Sequence, residues 1–494
     1  MTVSHQPIRA ARRRALIGVL AIPGFAMALV AFLVFALPIY STTDRLLAWC
    51  VWVLTTMPLI RYLRRPVGVP LLEFVALQYG VMFALPVFYE ETLKGYRFTS
   101  APSSEAITTT LTLCILAVVA MQAGYYFAAA KIHLRPRLLS FQSSPRRLFV
   151  FAVASVIGSV LVETRTIVVS ANVHQVVLVI FSGDLGIALL GLLHYRNLLR
   201  WWESYLAYLL VAASMLAGLV SGLTQYALQP ALVWMVCRWI VQRRFPTKLA
   251  AVIAAMFFVL QPVKLTYRAR TWADNSSRLS FGDKIAIYRR LISDHWTGAG
   301  PPSEVATSVG QSSLSRLTLL MSTARFVALT PSQVDFKHGE TISYVFYSFI
   351  PRLLWHDKPI AQVAQKVLPV EYGWQSEASA RTTSFSVGHI AEAYVNFGLA
   401  GIVPLFLLFG MCYYVPVSLF KNQYDTPALA IVIGVTASVM WIGTTIGNSF
   451  GGILQMTVVQ SVLLRVLTGV PSKPRPRYLR SDPLRVASMP ESGQ

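Results

Sequence analysis

The sequence predicts an all-α polytopic membrane protein of about twelve transmembrane helices, with one large extracytoplasmic loop. Three observations carry that reading. Hydrophobic residues make up 55% of the chain and charged residues 13%, with a mean hydropathy of +0.56, too apolar for a water-facing surface. Apolar runs of about 18 to 25 residues recur, each long enough to cross a hydrocarbon core about 30 Å thick. Backbone polar groups in that core must be satisfied within the segment, so each run must be a helix. The third observation is the distribution of Lys and Arg.

In chain order the spans fall near 15–39, 45–60, 69–88, 106–129, 148–162, 173–194, 204–221, 223–241, 248–266, 393–419, 427–446 and 449–469. The first follows a basic start (Arg9, Arg12, Arg13, Arg14) and is longer than a signal h-region, so it reads as a membrane helix, with no cleavable signal peptide. The fifth is short and could tilt or partly re-enter. Ser221, Gly222 and Thr224 supply a tight turn that separates the seventh from the eighth. With both termini in the cytoplasm, the inner segments carry 25 of the 43 Lys and Arg. The short outer loops hold only Arg45, Lys94, Arg97 and Arg165, and 14 more lie between residues 264 and 391. That asymmetry is the positive-inside pattern.

Four segments follow. Residues 1–266 form an N-terminal bundle of about nine helices. Residues 267–391 form the large outer loop, 392–470 the last three helices, and 471–494 a basic Pro- and Ser-rich tail expected to be disordered. Within the loop, Ile285, Tyr288, Leu291 and Ile292 share one face of an amphipathic helix. A second helix, 312–328, stacks Leu314, Leu317, Met321 and Ala324 and carries Arg316 and Arg325. Ile342 to Trp355 is aromatic and too short to span, so the loop is expected to rest on the bilayer surface.

The net charge of +22 raises the question of nucleic acid, but no basic groove with interleaved aromatics is visible, and membrane orientation explains most of it. Cys50, Cys114, Cys237 and Cys412 lie in or beside apolar runs and read as packing residues, not disulfide or metal partners. No P-loop, G-x-G-x-x-G, H-E-x-x-H or G-x-S-x-G motif is present, and no carboxylate cluster suggests a divalent cation. No metal or cofactor is expected.

Two stretches carry chemistry. In the first, Pro351 and Pro359 bracket Arg352, His356, Asp357 and Lys358. A guanidinium fork and a mobile ammonium held at the outer membrane surface suit a diphosphate, although lone cations there commonly just snorkel to anionic lipid. Arg268, Arg270 and Arg325 are further basic candidates. In the second, His389 and Glu392 are three apart and share a helix face at the membrane boundary. A carboxylate that holds an imidazole and raises its basicity makes a general base. The blander reading is a helix start with Glu392 on the dipole and His389 solvated. Inside the spans, Glu73 and Asp184 should face the bundle or a cavity, and Gly183 and Gly186 point to close helix packing around Asp184. Asp44 stands in the first outer loop, where some lipid-dependent glycosyltransferases carry an acid and where a lone Asp is usually solvated.

Ile350-Pro-Arg-Leu-Leu-Trp-His-Asp-Lys-Pro359, then Thr382-Thr383, then Glu392-Ala-Tyr-Val-Asn-Phe-Gly398, resembles the bacterial oligosaccharide repeat-unit polymerases of the Wzy type. The likeness covers the outer loop and the tenth span. It implies a GT-C-like membrane glycosyltransferase, related to the O-antigen ligases, in the bacterial cytoplasmic membrane. Such an enzyme moves a growing glycan from a polyprenyl (undecaprenyl) diphosphate carrier onto a new lipid-linked repeat at the outer face, in O-antigen or exopolysaccharide synthesis. Arg352 then grips the diphosphate, and His389 or Glu392 activates the acceptor hydroxyl. Arg381, Thr382, Tyr394 and Asn396 join Lys358 and Asp357 as substrate contacts. The implied partners are lipid-linked oligosaccharides, membrane lipids and a chain-length regulator. A ligase shares this architecture. A flippase is the alternative of another class, but one late outer loop does not suit two symmetric halves.

Overall fold

A computed structural model describes residues 6–64, 68–89, 102–132, 144–164, 181–271, 279–297, 318–347, 350, 355, 358, 363–382, 385–419, 425–439 and 441–468. The described residues are helical with no strand among them, and the protein is an α-helical membrane protein. Its helices are α1 (Gln6–Phe35), α2 (Thr42–Arg64), α3 (Leu71–Tyr79), α4 (Ser104–Lys131), α5 (Pro145–Glu163), α6 (Gly183–Tyr195), α7 (Trp201–Val220), α8 (Thr224–Gln242) and α9 (Thr247–Leu260). They continue with α10 (Lys264–Thr271), α11 (Phe281–Thr297), α12 (Leu320–Leu329), α13 (Tyr344–Tyr347), α14 (Val363–Glu371), α15 (Glu377–Thr382), α16 (His389–Leu419), α17 (Thr426–Val439) and α18 (Ile446–Thr468).

Among the described residues, seven helical stretches are long and apolar enough to cross a membrane: α2, Leu71–Phe88, α4, α5, α7, α16 and Ile446–Leu467. The expected turn between α7 and α8 is present, with Gly222 at φ +75°. Other spans are less regular than the apolar runs suggest. The third leaves α geometry at Gly80–Ala84, a π turn, and ends as a 3-10 turn at Leu85–Phe88. The ninth stops at Leu260, and a short turn leads into α10. The eleventh stops at Val439, and residues 441–445 form a turn before α18.

Charged groups close the helix ends. Ser41 and Asp44 form a reciprocal cap at the start of α2 (Ser41 N to Asp44 Oδ2 3.0 Å, Asp44 N to Ser41 Oγ 3.1 Å). Asp44 also accepts from Thr108 Oγ1 of α4 at 2.6 Å and is fully buried, so it is not the solvated loop acid its position suggested. The adjacent Arg45 donates to the carbonyls of Leu33, Leu37 and Tyr40, covering the C-terminal end of α1. Each charge thus sits at the helix end whose dipole it complements.

Small residues set the close helix contacts, as expected where lipid supplies no hydrophobic drive to associate. A Cβ at Gly410 of α16 would fall on the Met121 carbonyl and 2.6 Å from Tyr125 N of α4. Gly124 of α4 faces the Leu407 backbone in the same way. The expected close packing around Asp184 is present: a Cβ at Gly186 would lie 2.9 Å from the Ala152 carbonyl of α5. Asp184 reaches across to α8 and accepts from Gln229 Nε2 at 2.6 Å.

Helices of the loop pack against the bundle. Its amphipathic helix is α11, with Tyr288 and Leu291 buried; Tyr288 donates to the Leu260 carbonyl (3.2 Å) and its ring lies 4.5 Å from that of Tyr267. The second loop helix, α12, is buried in the main core against α4 and α16, and Leu319 N donates to Met82 O of the π turn at 3.0 Å. The reason lies in its composition: Leu320, Met321, Thr323, Ala324, Phe326 and Val327 cover more than one face, and a helix apolar all round is a buried helix. Leu314, Arg316 and Leu317 lie outside the described residues. A separate apolar cluster of Phe326, Leu368, Tyr372, Trp374, Phe385 and Val387 then seats the loop on the first turns of α16.

The α4–α16 contact predicts that Gly410→Ala destabilises the protein by about 1–3 kcal/mol, since the added methyl meets backbone that cannot step aside. Gly452→Ala in α18 has nothing within 4 Å and should be neutral or raise the melting temperature, a gain of up to about 1 kcal/mol. Thermal unfolding of the two detergent-solubilised variants checks both signs.

Candidate functional site

Helix α16 is two helices joined at a kink. Gly398 interrupts it at φ 60°, ψ −153°, a conformation open to glycine and not to side chains that carry a Cβ. The part after the break, 399–419, is roughly 31 Å long at 1.5 Å per residue, the thickness of a hydrocarbon core. The part after the break is thus long enough to cross by itself.

A helix that stops there leaves carbonyls needing donors. The segment 336–341 supplies them. Lys337 N donates to Val395 O (2.9 Å), His338 N to Asn396 O (3.0 Å) and Gly339 N to Asn396 Oδ1 (2.9 Å). Asn396 Nδ2 in turn donates to Thr341 Oγ1 and to Glu392 O, both at 2.7 Å. Two rings lock the joint: Phe336 lies over Gly398 and Phe397 over Gly339, each so close that a Cβ would sit 3.0–3.2 Å from the ring edge.

His389, Glu392 and Asn396 form a polar stripe along the first part of α16, and all three are buried. The His389 ring bonds Tyr79 Oη of α3 through Nδ1 (2.9 Å) and Ser449 Oγ of α18 through Nε2 (2.8 Å), and it stacks on Phe409 at 4.9 Å. It joins three helices. Glu392 Oε2 accepts from Ile446 N, the first residue of α18, at 2.6 Å. A carboxylate at that helix start satisfies an orphan donor and meets the positive end of the dipole. Its other oxygen, Oε1, is buried with no hydrogen-bond partner among the described residues, although Thr341 lies close by.

This arrangement corrects one expectation. His389 and Glu392 do share a face, but the carboxylate does not hold the imidazole. Both ring nitrogens are engaged by hydroxyls, and Glu392 turns instead to the α18 N-terminus, a stronger attractor for a carboxylate than a neutral ring. The solvated-histidine reading fails as well, since His389 is 1% exposed.

Lys358 is buried rather than held at the surface. Its Nζ donates to Ile350 O at 2.8 Å and lies 5.0 Å above the Tyr344 ring. Tyr344 packs on Gly447 of α18, next to the residue that Glu392 caps. The Pro-flanked stretch and the polar stripe therefore meet at one place, the start of α18. Arg352, His356 and Asp357 lie outside the described residues. Arg268 belongs to a different region, where its Nε donates to Gly222 O at 2.9 Å, and Arg270 is exposed on the same short helix. Arg325 is half-buried on α12 and Tyr394 half-buried beside Phe336, while Arg381 and Thr382 end α15. Sequence reasoning missed Tyr79, Ser449 and Thr341. It had Gly398 within a motif but not as a break, though a glycine inside an apolar run is a signal for one.

Beside the break an open groove of about 500 Å³ runs along α16. His338 and Asn396 line its polar end; Phe397, Ala400, Pro404 and Leu408 carry it down the apolar face of the helix.

The chain belongs to the family described as Domain of unknown function (DUF8712), whose model matches residues 29–424. No curated protein and no solved structure matches it. The matched range contains the Pro-flanked stretch, the polar stripe and the break.

Glu392→Ala should lower stability by about 1–3 kcal/mol, because it leaves Ile446 N buried without its acceptor. Glu392→Gln keeps a carbonyl oxygen for that bond and should retain most of the stability. Thermal unfolding of the two variants, read against wild type, checks the ranking.

Proposed function

We propose that this protein is a membrane-embedded glycosyltransferase of the Wzy polymerase kind, with a GT-C-like arrangement of twelve spans and both termini in the cytoplasm. Its substrates are polyprenyl-diphosphate-linked glycans at the outer face of the bacterial cytoplasmic membrane. Helices at the other five expected positions (α1, α6, α8, α9 and α17) are consistent with the twelve-span layout. The observation that carries the reading is the groove on α16. It pairs a polar end beside the Gly398 break with an apolar run along a helix long enough to span, the outline of a lipid whose headgroup is large and whose tail is long.

In this reading the carrier tail lies along Ala400, Pro404 and Leu408, and its diphosphate emerges near His338 and Asn396. Arg352 grips the diphosphate with a bidentate fork and stabilises the charge that develops on it. Lys358 acts at one remove, since its bond to the Ile350 carbonyl steadies the stretch that carries Arg352. The acceptor hydroxyl loses its proton to Glu392 or His389, its oxygen attacks the anomeric carbon, and the carbon–oxygen bond to the diphosphate breaks with the electron pair leaving on phosphate. Both candidate bases are buried; both His389 nitrogens are engaged, so an acceptor there must displace a hydroxyl, whereas Glu392 can take the proton on Oε1. A chain-length regulator is a natural partner for such an enzyme.

Deletion of the gene should leave surface glycan with single repeats, read as a collapsed ladder on a gel. Long polymer stranded on the lipid carrier would instead indicate a ligase, and repeats trapped on the cytoplasmic side a flippase. Arg352→Ala should abolish the ladder with normal membrane insertion. Ala400→Trp, which fills the groove at an exposed position, should cut polymerisation at least tenfold and leave thermal stability unchanged. A wild-type ladder in both variants would refute the assignment. If Glu392 is the base, Glu392→Gln loses activity while keeping its fold; full activity in that variant leaves the role to His389.

A further inference from the structure

The polar end of the α16 groove holds His338, which lies outside both stretches that carry chemistry in the sequence. It stands there with Asn396, beside Phe397 and Ala400, where the apolar run begins. Among the described lining residues it is the one with a titratable side chain.

Its backbone is unusual. His338 lies at φ 46°, in the left-handed region where a Cβ is strained and Gly or Asn is the usual occupant. Among the described residues, the other non-glycines at positive φ are Asn197 and Arg243. Those two follow the ends of α6 and α8, where a left-handed turn is routine. His338 closes no helix. It is held from both sides: Lys337 N donates to Val395 O, His338 N to Asn396 O and Gly339 N to Asn396 Oδ1, and the Phe397 ring covers Gly339. Strained residues persist where their surroundings over-determine them, and they gather at ligand sites.

The donors at this end of the groove are divided unevenly. Asn396 gives both Nδ2 hydrogens away inside the joint, to Thr341 Oγ1 and to Glu392 O, while its Oδ1 accepts from Gly339 N. It has no side-chain donor left for a ligand. The His338 side chain is exposed, and its ring makes no hydrogen bond among the described residues. An imidazole carries at least one N–H in either protonation state. Among the described lining residues, His338 is therefore the side chain with a donor to spare.

On the proposed function the carrier tail lies along Ala400, Pro404 and Leu408. The first polar atoms after the last tail carbon of a polyprenyl diphosphate belong to its inner phosphate. A tail seated in the groove brings that phosphate to the polar end. We propose, resting on that reading, that His338 is a substrate-contacting residue whose ring N–H donates to an oxygen of the phosphate nearest the carrier tail. No proton is transferred; the bond is a hydrogen bond to a charged acceptor, fixed in place by the strained backbone. Arg352 is then left for the outer phosphate, on which the electron pair departs when the glycosyl bond breaks.

Binding to the full chain in mild detergent tests the contact. Farnesyl diphosphate and farnesol share a tail and differ in the diphosphate, and inorganic diphosphate lacks the tail. Wild type should bind farnesyl diphosphate about tenfold more tightly than farnesol, or better, as one hydrogen bond to a charged group allows. His338→Gly suits the left-handed backbone; it should lose most of that preference, keep wild-type affinity for farnesol and keep its melting temperature. His338→Asn retains a shorter side-chain N–H and should fall between, while His295→Gln, at a histidine of α11, should bind as wild type does. An undiminished preference in His338→Gly would overturn the contact and leave the groove reading standing. Equal weakening of both farnesyl probes in that variant would also overturn it, since a structural role alone moves the two together. Inorganic diphosphate bound as tightly as farnesyl diphosphate would overturn the lipid source. Wild type that binds neither farnesyl compound would overturn the groove reading, and the role of His338 with it.

Discussion

A helix that breaks in apolar surroundings uncovers carbonyls that those surroundings cannot solvate, at a cost of several kcal/mol each unless another donor arrives. The break at Gly398 creates that demand in this protein, and the segment 336–341 meets it with the backbone N–H groups of Lys337 and His338, while Gly339 N–H and the Thr341 hydroxyl, an acceptor, hold the Asn396 side chain. The loop and the membrane helix are therefore not separable parts. The residues that cap α16 are also those that shape the polar end of the groove, so its geometry is held by backbone hydrogen bonds rather than by flexible side chains.

The same constraint explains where the charged residues go. Asp44 and Glu392 sit at helix N-termini, and Arg45 covers a helix C-terminus; Lys358 donates a hydrogen bond to a backbone carbonyl and lies over an aromatic face. In water each would be worth little, because a solvated charge at a helix end gains only a few tenths of a kcal/mol to about 1 kcal/mol. Where water is scarce the alternative is an unpaired polar group, and the caps become structural requirements. Asp44 shows how this misleads a reading by position: a lone acid in a short loop is normally solvated, yet this one is fully buried as a cap and a tie to α4.

Much of the fold was legible because hydrophobic runs and their spacing are local properties. The turn at Gly222, the amphipathic face of α11 and the close packing around Gly186 all follow from neighbouring residues. What was not legible depends on distant partners. His389 finds Tyr79 across 310 positions and Ser449 across 60, and Glu392 finds Ile446 across 54. Spacing alone put His389, Glu392 and Asn396 on one helical stripe but could not say what the stripe faces, so the two acid–base candidates looked like a pair. For α12 the sequence showed one stacked face, Met321 and Ala324, but not that Thr323, Phe326 and Val327 are buried as well, because that depends on contacts with α4 and α16.

The meeting of the Pro-flanked stretch with the polar stripe at the start of α18 has a mechanistic consequence. Ile446 N holds Glu392, and Tyr344, over which Lys358 sits, packs against the next residue, Gly447. A shift of that first turn would therefore reach both stretches at once. Residues 441–445, which lead into it, are pinned by Ser386 and Gln365 on the Gly443 carbonyl and by Gln78 on Ile442 N. The candidate base and the Pro-flanked stretch thus share one support made of hydrogen bonds from α3, the loop and α16. A substrate that displaced Ile446 N from Glu392 would free the carboxylate and release the support on which Lys358 and its neighbours rest. On the proposed function, activation of the base and diphosphate engagement would then be two results of the same movement.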